Sequence, residues 1–431
     1  MRQFIWKILY TWIGTPLMLP GVRLAAIRNR NLRKGLEGRK GVWLRLEQQL
    51  EQRDPHKPLI WFHVASAGEF LQAQPVMERC LAQGWECALT VTSVNGYTWI
   101  QRAKFSAARR PVVLDYLPLD SGRNMRRMLQ LLRPACIVYV KYDIWPHLLW
   151  QARKAGIPQY LICAALRAGS SRTTSPLARS FYRSLYPCLD GIFTITDDDR
   201  RRFLTTCPEH PNVQVVGDTK YDSVLARKRS LPPPALPAYI QGKFVVILGS
   251  SWPPDEECTG PALREALQRY PDLLIVVVPH EPTEEHLAHS ASCFQEFRIE
   301  RFTRLSPRPQ EPPRVILGDT VGILSSLYAV GSLAYVGGAF TTGVHNVTEP
   351  AVMGMPVIFG PKYDASPEAA ALARQGLAFS ISAPQEFRTL LFRFLDNREE
   401  CRRIGEQAEA AIESHAGVAE RCFALITTPL R

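Results

Sequence analysis

In the first half of the chain, three segments put charged side chains where an apolar run gives way to a helix. His63–Glu69 (HVASAGE) closes one such run and places Glu69 in the first turn of the helix that follows. A carboxylate there can take a proton from a bound hydroxyl, or it can do no more than complement the helix dipole. Lys141–Pro146 (KYDIWP) follows a second run. Asp143 can orient an acceptor or Glu69, Lys141 can attract an anion, and Trp145 fits a core equally well. Gly217–Asp222 (GDTKYD) follows a third and carries Lys220. An amine in that place can neutralise charge building on a departing phosphate; as a solvated lysine it needs no explanation.

The second half has groups suited to a nucleotide. Gly337–Pro361 (GGAFTTGVHNVTEPAVMGMPVIFGP) comes after the apolar run Leu333–Val336 and combines a Gly-rich turn, the pair His345-Asn346, and Glu349 at a helix start. Backbone N–H groups at such a turn can hold a phosphate, and Glu349 is placed to accept hydrogen bonds from ribose hydroxyls. Ser250 and Ser251 in GSSWPPDEE (Gly249–Glu257) add donors for a phosphate, while Asp255, Glu256 and Glu257 can simply open the next helix. His280 in PHEP can pack on a base, contact phosphate or be structural. Val321 and Gly322 in GDTVGILSSLY (Gly318–Tyr328) offer amides at another helix start. There is no Walker A motif, no GxGxxG fingerprint in the right context, no DxD pair near these groups, and no HExxH or zinc deaminase pattern. ATP, NAD and metal chemistry are therefore not expected.

The elements that must position these groups alternate in type. Strands are predicted over 58–65, 87–94, 111–114, 135–140, 159–164, 191–196 and 213–216, with helices between them that include 70–81, 97–107, 124–132, 150–155, 178–186 and 197–204. A proline-bearing stretch, Lys228–Gly242, interrupts the pattern. It restarts with strands over 244–248, 273–278, 314–317, 333–336 and 356–359, and helices over 261–270, 283–290, 323–330, 348–353, 367–375 and 385–415. Such alternation makes mostly parallel sheets covered on both faces. A chain of 431 residues exceeds one core. The expected fold is α/β, with two Rossmann-like domains facing a cleft. They span 41–227 and 244–431, joined by a Pro-rich linker at 228–243 and preceded by a segment at 1–40. Ligands of open α/β sheets sit at the carboxyl ends of strands, where the motifs above fall.

Ten cysteines with no CxxC pair imply neither a disulfide framework nor a zinc site, and point to a reducing compartment. Cys136, Cys163, Cys188 and Cys293 read as small core hydrophobes. The net charge of +12 suits an anionic partner. Phe4–Val22 holds one charge, Lys7, and the interfacial aromatics Trp6, Tyr10 and Trp12; Arg23, Arg28, Arg30, Arg33, Lys34, Arg39 and Lys40 follow against Glu37 alone. This pattern predicts a membrane-associated anchor with its basic tail on an anionic surface. Pro16 and Pro20 interrupt it, and a signal peptide or an ordinary first helix are the alternatives. Nucleic acid is not an expected partner, because the basic run adjoins an apolar stretch and not a surface interleaved with aromatics.

Taken in order, HVASAGE, KYDIWP, GDTKYD, PHE, GDTVGILSSLY and GVHNVTEPAVMGMPVIFGP resemble the motifs of the 3-deoxy-D-manno-octulosonic acid (Kdo) transferases, almost end to end. The resemblance implies a GT-B glycosyltransferase fold, CMP-Kdo as donor and a phosphorylated lipid A precursor of the lipid IVA type as acceptor. It also implies no cofactor, no metal, and a place at the inner membrane facing the cytoplasm. It gives Glu69 as proton acceptor and Asp143 with Lys220 as the pair that stabilises the transition state. It puts the CMP site at Pro279 and His280, at Val321, Gly322 and Ile323, and at Asn346, Val347, Thr348 and Glu349. Three positions depart from the family pattern: Asp143 stands where Glu is common, His280 where Arg is common, and Val347-Thr348 where the motif is often Pro-Leu. The expected reaction is inverting transfer of Kdo in lipopolysaccharide-core synthesis. The rival readings are a GT-B enzyme using a UDP-sugar, and a non-catalytic nucleotide- or lipid-binding protein of the same fold. The oligomeric state is left open.

Overall fold

Residues 59–64 (LIWFHV) are buried at every position, as a strand must be when both faces of its sheet are covered. In the computed structural model, which describes residues 2–51, 53–102, 110–230 and 236–430, this is β1 (Leu59–Val64). It centres a sheet with β2 (Glu86–Val91), β3 (Val113–Tyr116), β4 (Cys136–Val140), β5 (Gln159–Ala164), β6 (Gly191–Thr194) and β7 (Val213–Val215). The order is β3-β2-β1-β4-β5-β6-β7, parallel throughout. Alternate β1 residues feed two cores. Leu59 and Trp61 join Met125 and Leu148 on one face; Ile60, Phe62 and Val64 join Val76 and Ile162 on the other. Strand order reverses between β1 and β4, the place where an open α/β sheet leaves a crevice.

A second parallel sheet holds β8 (Phe244–Ser251), β9 (Leu273–Pro279), β10 (Ile299–Arg301), β11 (Val315–Leu317), β12 (Leu333–Val336), β13 (Val357–Phe359) and β14 (Ala378–Ser380). Its order is β10-β11-β9-β8-β12-β13-β14, and the reversal falls between β8 and β12. The strands β10 (IER) and β14 (AFS) have no counterpart in the sequence pattern, because neither is a continuous apolar run. The helix predicted over 97–107 is Val94–Arg102, with 103–107 outside the described residues. Residues 231–235 of the expected linker lie outside them too, and its start is helical, since Lys220–Ser230 is one helix.

The chain divides into two compact units, Met1–Ser223 with Ala416–Arg431, and Val224–His415. The last residues, expected to close the second domain, belong to the first. Helix Val418–Thr427 buries Val418, Cys422, Phe423 and Ile426 in the same core as Val76 and Cys80 of helix Ala67–Ala82. Asp222 fixes this return by accepting from the Gly417 and Ala419 N–H groups (2.8 and 3.1 Å).

The expected placement in the inner membrane is overturned: no helix among the described residues is long and apolar enough to cross a membrane. The apolar run is divided into helix Arg2–Leu9, a π-helical turn at Tyr10–Gly14 and helix Thr15–Arg28, which contains Pro20. Several of its aromatic and polar side chains are used inside the first unit. Tyr10 Oη donates to buried Asp120 (3.1 Å) and Trp6 Nε1 to Ser180 Oγ (3.1 Å). The Thr15 hydroxyl proton goes to the Tyr10 carbonyl (3.0 Å), so Thr15 Oγ1 accepts from His147 Nε2 (3.0 Å). Composition alone could not separate such packing groups from interfacial ones.

Candidate active site

Ser66 caps the helix Ala67–Ala82. Its Oγ accepts from the Glu69 N–H (3.3 Å), and Glu69 Oε2 accepts from the Ala65 N–H (2.5 Å). This reciprocal cap folds the carboxylate back over the end of β1, where it is 5% exposed. The turn is held from outside as well. A Cβ at Gly96 would stand 3.1 Å from Ser66 Cα and Ala67 N, so helix Val94–Arg102 rests directly on it. Burial raises the Glu69 pKa; the Ala65 N–H opposes the rise, the Asp143 charge adds to it, and Lys141 and His63 oppose it.

Asp143 follows β4, across the strand-order reversal from β1. Its partner is a residue the motif search passed over. The β1–β2 register sets His63 beside Thr90, and the ring is fully buried. Trp61 Nε1 donates to Thr90 Oγ1 (2.8 Å), and Thr90 Oγ1 lies 2.9 Å from His63 Nδ1. His63 Nε2 meets both Asp143 Oδ2 and Trp145 Nε1, each at 3.1 Å. For Asp143, burial pushes the pKa up, but hydrogen bonds from His63, Trp145 and Thr92 and the His63 charge outweigh it, and the carboxylate stays below its ordinary range. The two acids are therefore driven apart, Glu69 upward and Asp143 downward. The signal for His63 was available: it is a single polar residue in an otherwise apolar strand.

Lys220 opens helix Lys220–Ser230. The segment before it is stitched to the Glu69 helix. Gln72 Nε2 donates to Asp218 Oδ1 (2.8 Å), Thr219 Oγ1 to the Leu-flanked Gln72 carbonyl (2.5 Å), and Ser223 Oγ to the Leu71 carbonyl (2.6 Å). Glu69, Asp143 and Lys220 thus all belong to the first unit, with Asp143 held by His63 and the Lys220 segment held by the turn after Glu69.

In the second unit the ends of β8, β9 and β12 converge. Pro279 ends β9 in register with Ser251, and the His280 N–H donates to the Ser251 carbonyl (3.0 Å). His280 stacks on Trp252 (ring centroids 5.0 Å) and on His345 (4.4 Å), and Trp252 Nε1 donates to His345 Nε2 (3.2 Å). Burial, then the neighbouring His280, lower the His345 pKa. Asp255, expected only to open a helix, organises this edge. Its Oδ2 accepts from the Trp252 and Gly338 N–H groups (3.0 and 2.9 Å) and its Oδ1 from Tyr335 Oη (2.8 Å). Gly337 is obligatory here, because a Cβ would meet the Ser250 carbonyl oxygen at 2.3 Å.

Asn346 Oδ1 accepts from the Thr348 N–H (3.1 Å) and Oγ1 (2.6 Å), fixing the start of helix Thr348–Val352. Val347 is buried in this turn. The Glu349 carboxylate accepts from Arg227 Nη1 (2.6 Å) and Ser325 Oγ (2.9 Å). Two of its lone-pair sites remain for other donors. Val321 and Gly322 form an open turn ahead of Ile323 and helix Leu324–Leu327; Val321 is 78% exposed, and Gly322 has a positive φ of 84°. Among the described residues, Glu256, His289 and Cys293 have ligand atoms within 4.8 Å of one another and could geometrically hold a metal. The Glu256 carboxylate is already engaged by Ser251 and Ser290 hydroxyls (2.7 and 2.8 Å).

Residues 40–223 match the family model described as 3-Deoxy-D-manno-octulosonic-acid transferase (kdotransferase). The chain is 31% identical over 377 residues to the 3-deoxy-D-manno-octulosonic acid transferase of Bordetella pertussis, covering 84% of this chain and 85% of that one. It is 24% identical over 436 residues to the enzyme of the same name from Haemophilus influenzae, covering 98% of each. Among solved structures it resembles UDP-GlcNAc 2-epimerase from Neisseria meningitidis bound to UDP-GlcNAc, with a TM-score of 0.61 at 16% identity over 86% of this chain and all of that one. At that identity the likeness is one of fold, and it agrees with two parallel sheets flanked by helices in a GT-B-like arrangement. On the sequence matches, the chain belongs to the 3-deoxy-D-manno-octulosonic acid transferase family.

Proposed function

We propose that the chain transfers Kdo from CMP-Kdo to a hydroxyl of a phosphorylated lipid A precursor, with Glu69 as the base. The class of reaction is CMP-Kdo-dependent glycosyl transfer. What carries the residue assignment is the buried Glu69 carboxylate at the β1–β4 reversal, with its pKa raised beside an Asp143 whose pKa is lowered. Environments that separate two carboxyl groups in this way assign them different work. Glu69 takes the acceptor proton as that oxygen attacks the anomeric carbon of Kdo. The bond from that carbon to the phosphate oxygen breaks, and its electron pair leaves with CMP. Lys220 neutralises charge on the leaving phosphate. Asp143, held by His63, keeps a fixed negative charge that makes Glu69 more basic.

In the second unit, the amides around Val321, Gly322 and Ile323 and the turn from Asn346 to Glu349 hold the nucleotide, with Pro279 and His280 against it. The test is purified protein with CMP-Kdo and a tetra-acylated lipid A precursor, products counted by mass; release of CMP without a Kdo-bearing lipid would remove the transferase reading. Turnover of a UDP-sugar in place of CMP-Kdo would move it to the rival donor class.

Asp143→Asn is expected to slow turnover and to shift the acid limb of the rate profile to lower pH, because it removes a charge that raises the Glu69 pKa. An unshifted limb would separate Asp143 from Glu69. Asp143→Glu restores the commoner family residue and is expected to retain activity. Glu349→Ala is expected to weaken CMP binding by about 1–3 kcal/mol, the worth of hydrogen bonds to a charged group. Its ion pair with Arg227 is partly exposed, so the melting temperature should move little. Unchanged CMP affinity in calorimetry would free Glu349 from this role.

A further inference from the structure

Glu256, His289 and Cys293 come together in the second unit, and none of them is assigned above to the transfer or to the nucleotide. Glu256 stands in the first turn of helix Pro253–Arg269 and is 3% exposed. His289 is in the last turn of helix Glu284–Ser292, and Cys293 caps its end. A spacing of four residues puts the imidazole and the thiol on one face, a turn apart. That face looks onto the Glu256 helix. A Cβ at Gly260, one turn after Glu256, would stand 3.8 Å from Cys293 Cβ and 4.0 Å from its Sγ, so the lack of a side chain at 260 leaves the thiol room beside the carboxylate.

Two of these groups lack the partner that burial demands. A carboxylate taken out of water needs a cation. Among the described residues no lysine or arginine pairs with Glu256, and its basic neighbour is His289, with Nε2 3.8 Å from Oε2. That separation is too long for a hydrogen bond. His289 Nε2 is itself buried and has no hydrogen-bond partner among the described residues. A metal ion fits the gap. The three ligand atoms lie within 4.8 Å of one another, and bonds of about 2.0–2.3 Å at tetrahedral angles need them roughly 3.3–3.8 Å apart, a small contraction. The Ser251 and Ser290 hydroxyls that donate to Glu256 (2.7 and 2.8 Å) leave a second lone pair on each oxygen. They orient the carboxylate, as groups behind a metal ligand do.

We propose that Glu256, His289 and Cys293 bind one divalent ion of the zinc type, with a water completing the tetrahedron. One oxygen, one nitrogen and one sulfur ligand suit zinc and not magnesium or calcium, which take oxygen. On binding, the thiol gives its proton to solvent, and thiolate and carboxylate together neutralise the ion. The ion is structural: it ties helix Glu284–Ser292 to helix Pro253–Arg269. Its hold extends to the edge that carries His280, because Glu256 Oε1 accepts from Ser251 Oγ and the Ser251 carbonyl accepts from the His280 N–H (3.0 Å).

The test uses the full-length chain without a polyhistidine tag, stripped by a chelator and titrated with Co(II), which takes the place of zinc and absorbs light. The wild type is expected to bind a single ion, with ligand-field bands of tetrahedral intensity and a thiolate-to-cobalt charge-transfer band, and to lose both when zinc is added. The band can be assigned to Cys293, because the other nine cysteines are buried. Cys293→Ser should abolish the charge-transfer band. His289→Gln and Glu256→Gln should each bind cobalt at least about tenfold more weakly, since losing even a group behind a ligand costs roughly 10–100-fold. Ser290→Ala tests that outer group and should weaken binding by about tenfold. Zinc should raise the melting temperature of the wild type and leave that of Cys293→Ser where it is. No charge-transfer band in the wild type, the same band in Cys293→Ser, or unchanged cobalt affinity in His289→Gln and Glu256→Gln would overturn the proposal. Should Glu256→Gln lose its thermal transition, His289→Gln decides.

Discussion

Glu69→Gln is expected to lower kcat by roughly 10²–10⁴-fold, the usual yield of general-base catalysis. The substitution preserves the local structure, since an amide oxygen can still accept from the Ala65 N–H as Oε2 does now (2.5 Å). CMP affinity should not change, because the residues proposed above to hold CMP belong to the second unit. The base works only when ionised, so the wild-type rate should fall as pH drops through the Glu69 pKa. Burial, the largest influence on that pKa, raises it, so the acid limb should lie above the ordinary glutamate range near pH ~4. Near-normal turnover in Glu69→Gln, with both substrates below saturation, would take the base role from Glu69 and leave Asp143 as the candidate.

The second large effect concerns Asp255. Asp255→Ala should destabilise the second unit by about 3 kcal/mol or more, because it strips a buried carboxylate from three donors at once and leaves the Trp252 and Gly338 amides without their acceptor. CMP binding should weaken with it, as the Gly337–Gly338 turn and the Trp252 loop lose their common anchor. Asp255→Asn should be milder. Its oxygen can serve the two amides, and its NH₂ can donate to Tyr335 Oη. Thermal melts of both variants, with CMP calorimetry on the one that folds, check this; an alanine variant as stable as wild type would show that the carboxylate is not what holds the edge.

The alternation of strands and helices was legible because buried parallel strands are short apolar runs, and twelve of them stood out against polar turns. The strand–helix junctions bearing Glu69, Asp143 and Lys220 were legible for the same reason. What escaped notice depends on partners distant in sequence. His63 gains its meaning from Thr90 and Asp143, and Asp255 from Gly338 and Tyr335. Asp255 does not differ locally from an ordinary first-turn aspartate, and His63 stands out only as the one polar residue of an apolar strand. The N-terminal run misled for a related reason: its apolar and aromatic content was read correctly, but whether Trp6 and Tyr10 face solvent or Ser180 and Asp120 is fixed only by tertiary packing.

Helix Val418–Thr427 has a consequence for the order in which the chain can be built. Domains ordinarily complete themselves from the N-terminus during synthesis. Here the core that includes Val76 and Cys80 also needs Cys422 and Phe423, which are translated only after the whole of the second unit. Residues 224–415 are all available before the first unit can close, so the first unit waits, with an apolar helix face uncovered, for the second to be translated. A nascent chain stalled before residue 416 would be a substrate for chaperones, and a stop codon there would cost the protein its N-terminal unit, although every residue assigned to chemistry lies upstream.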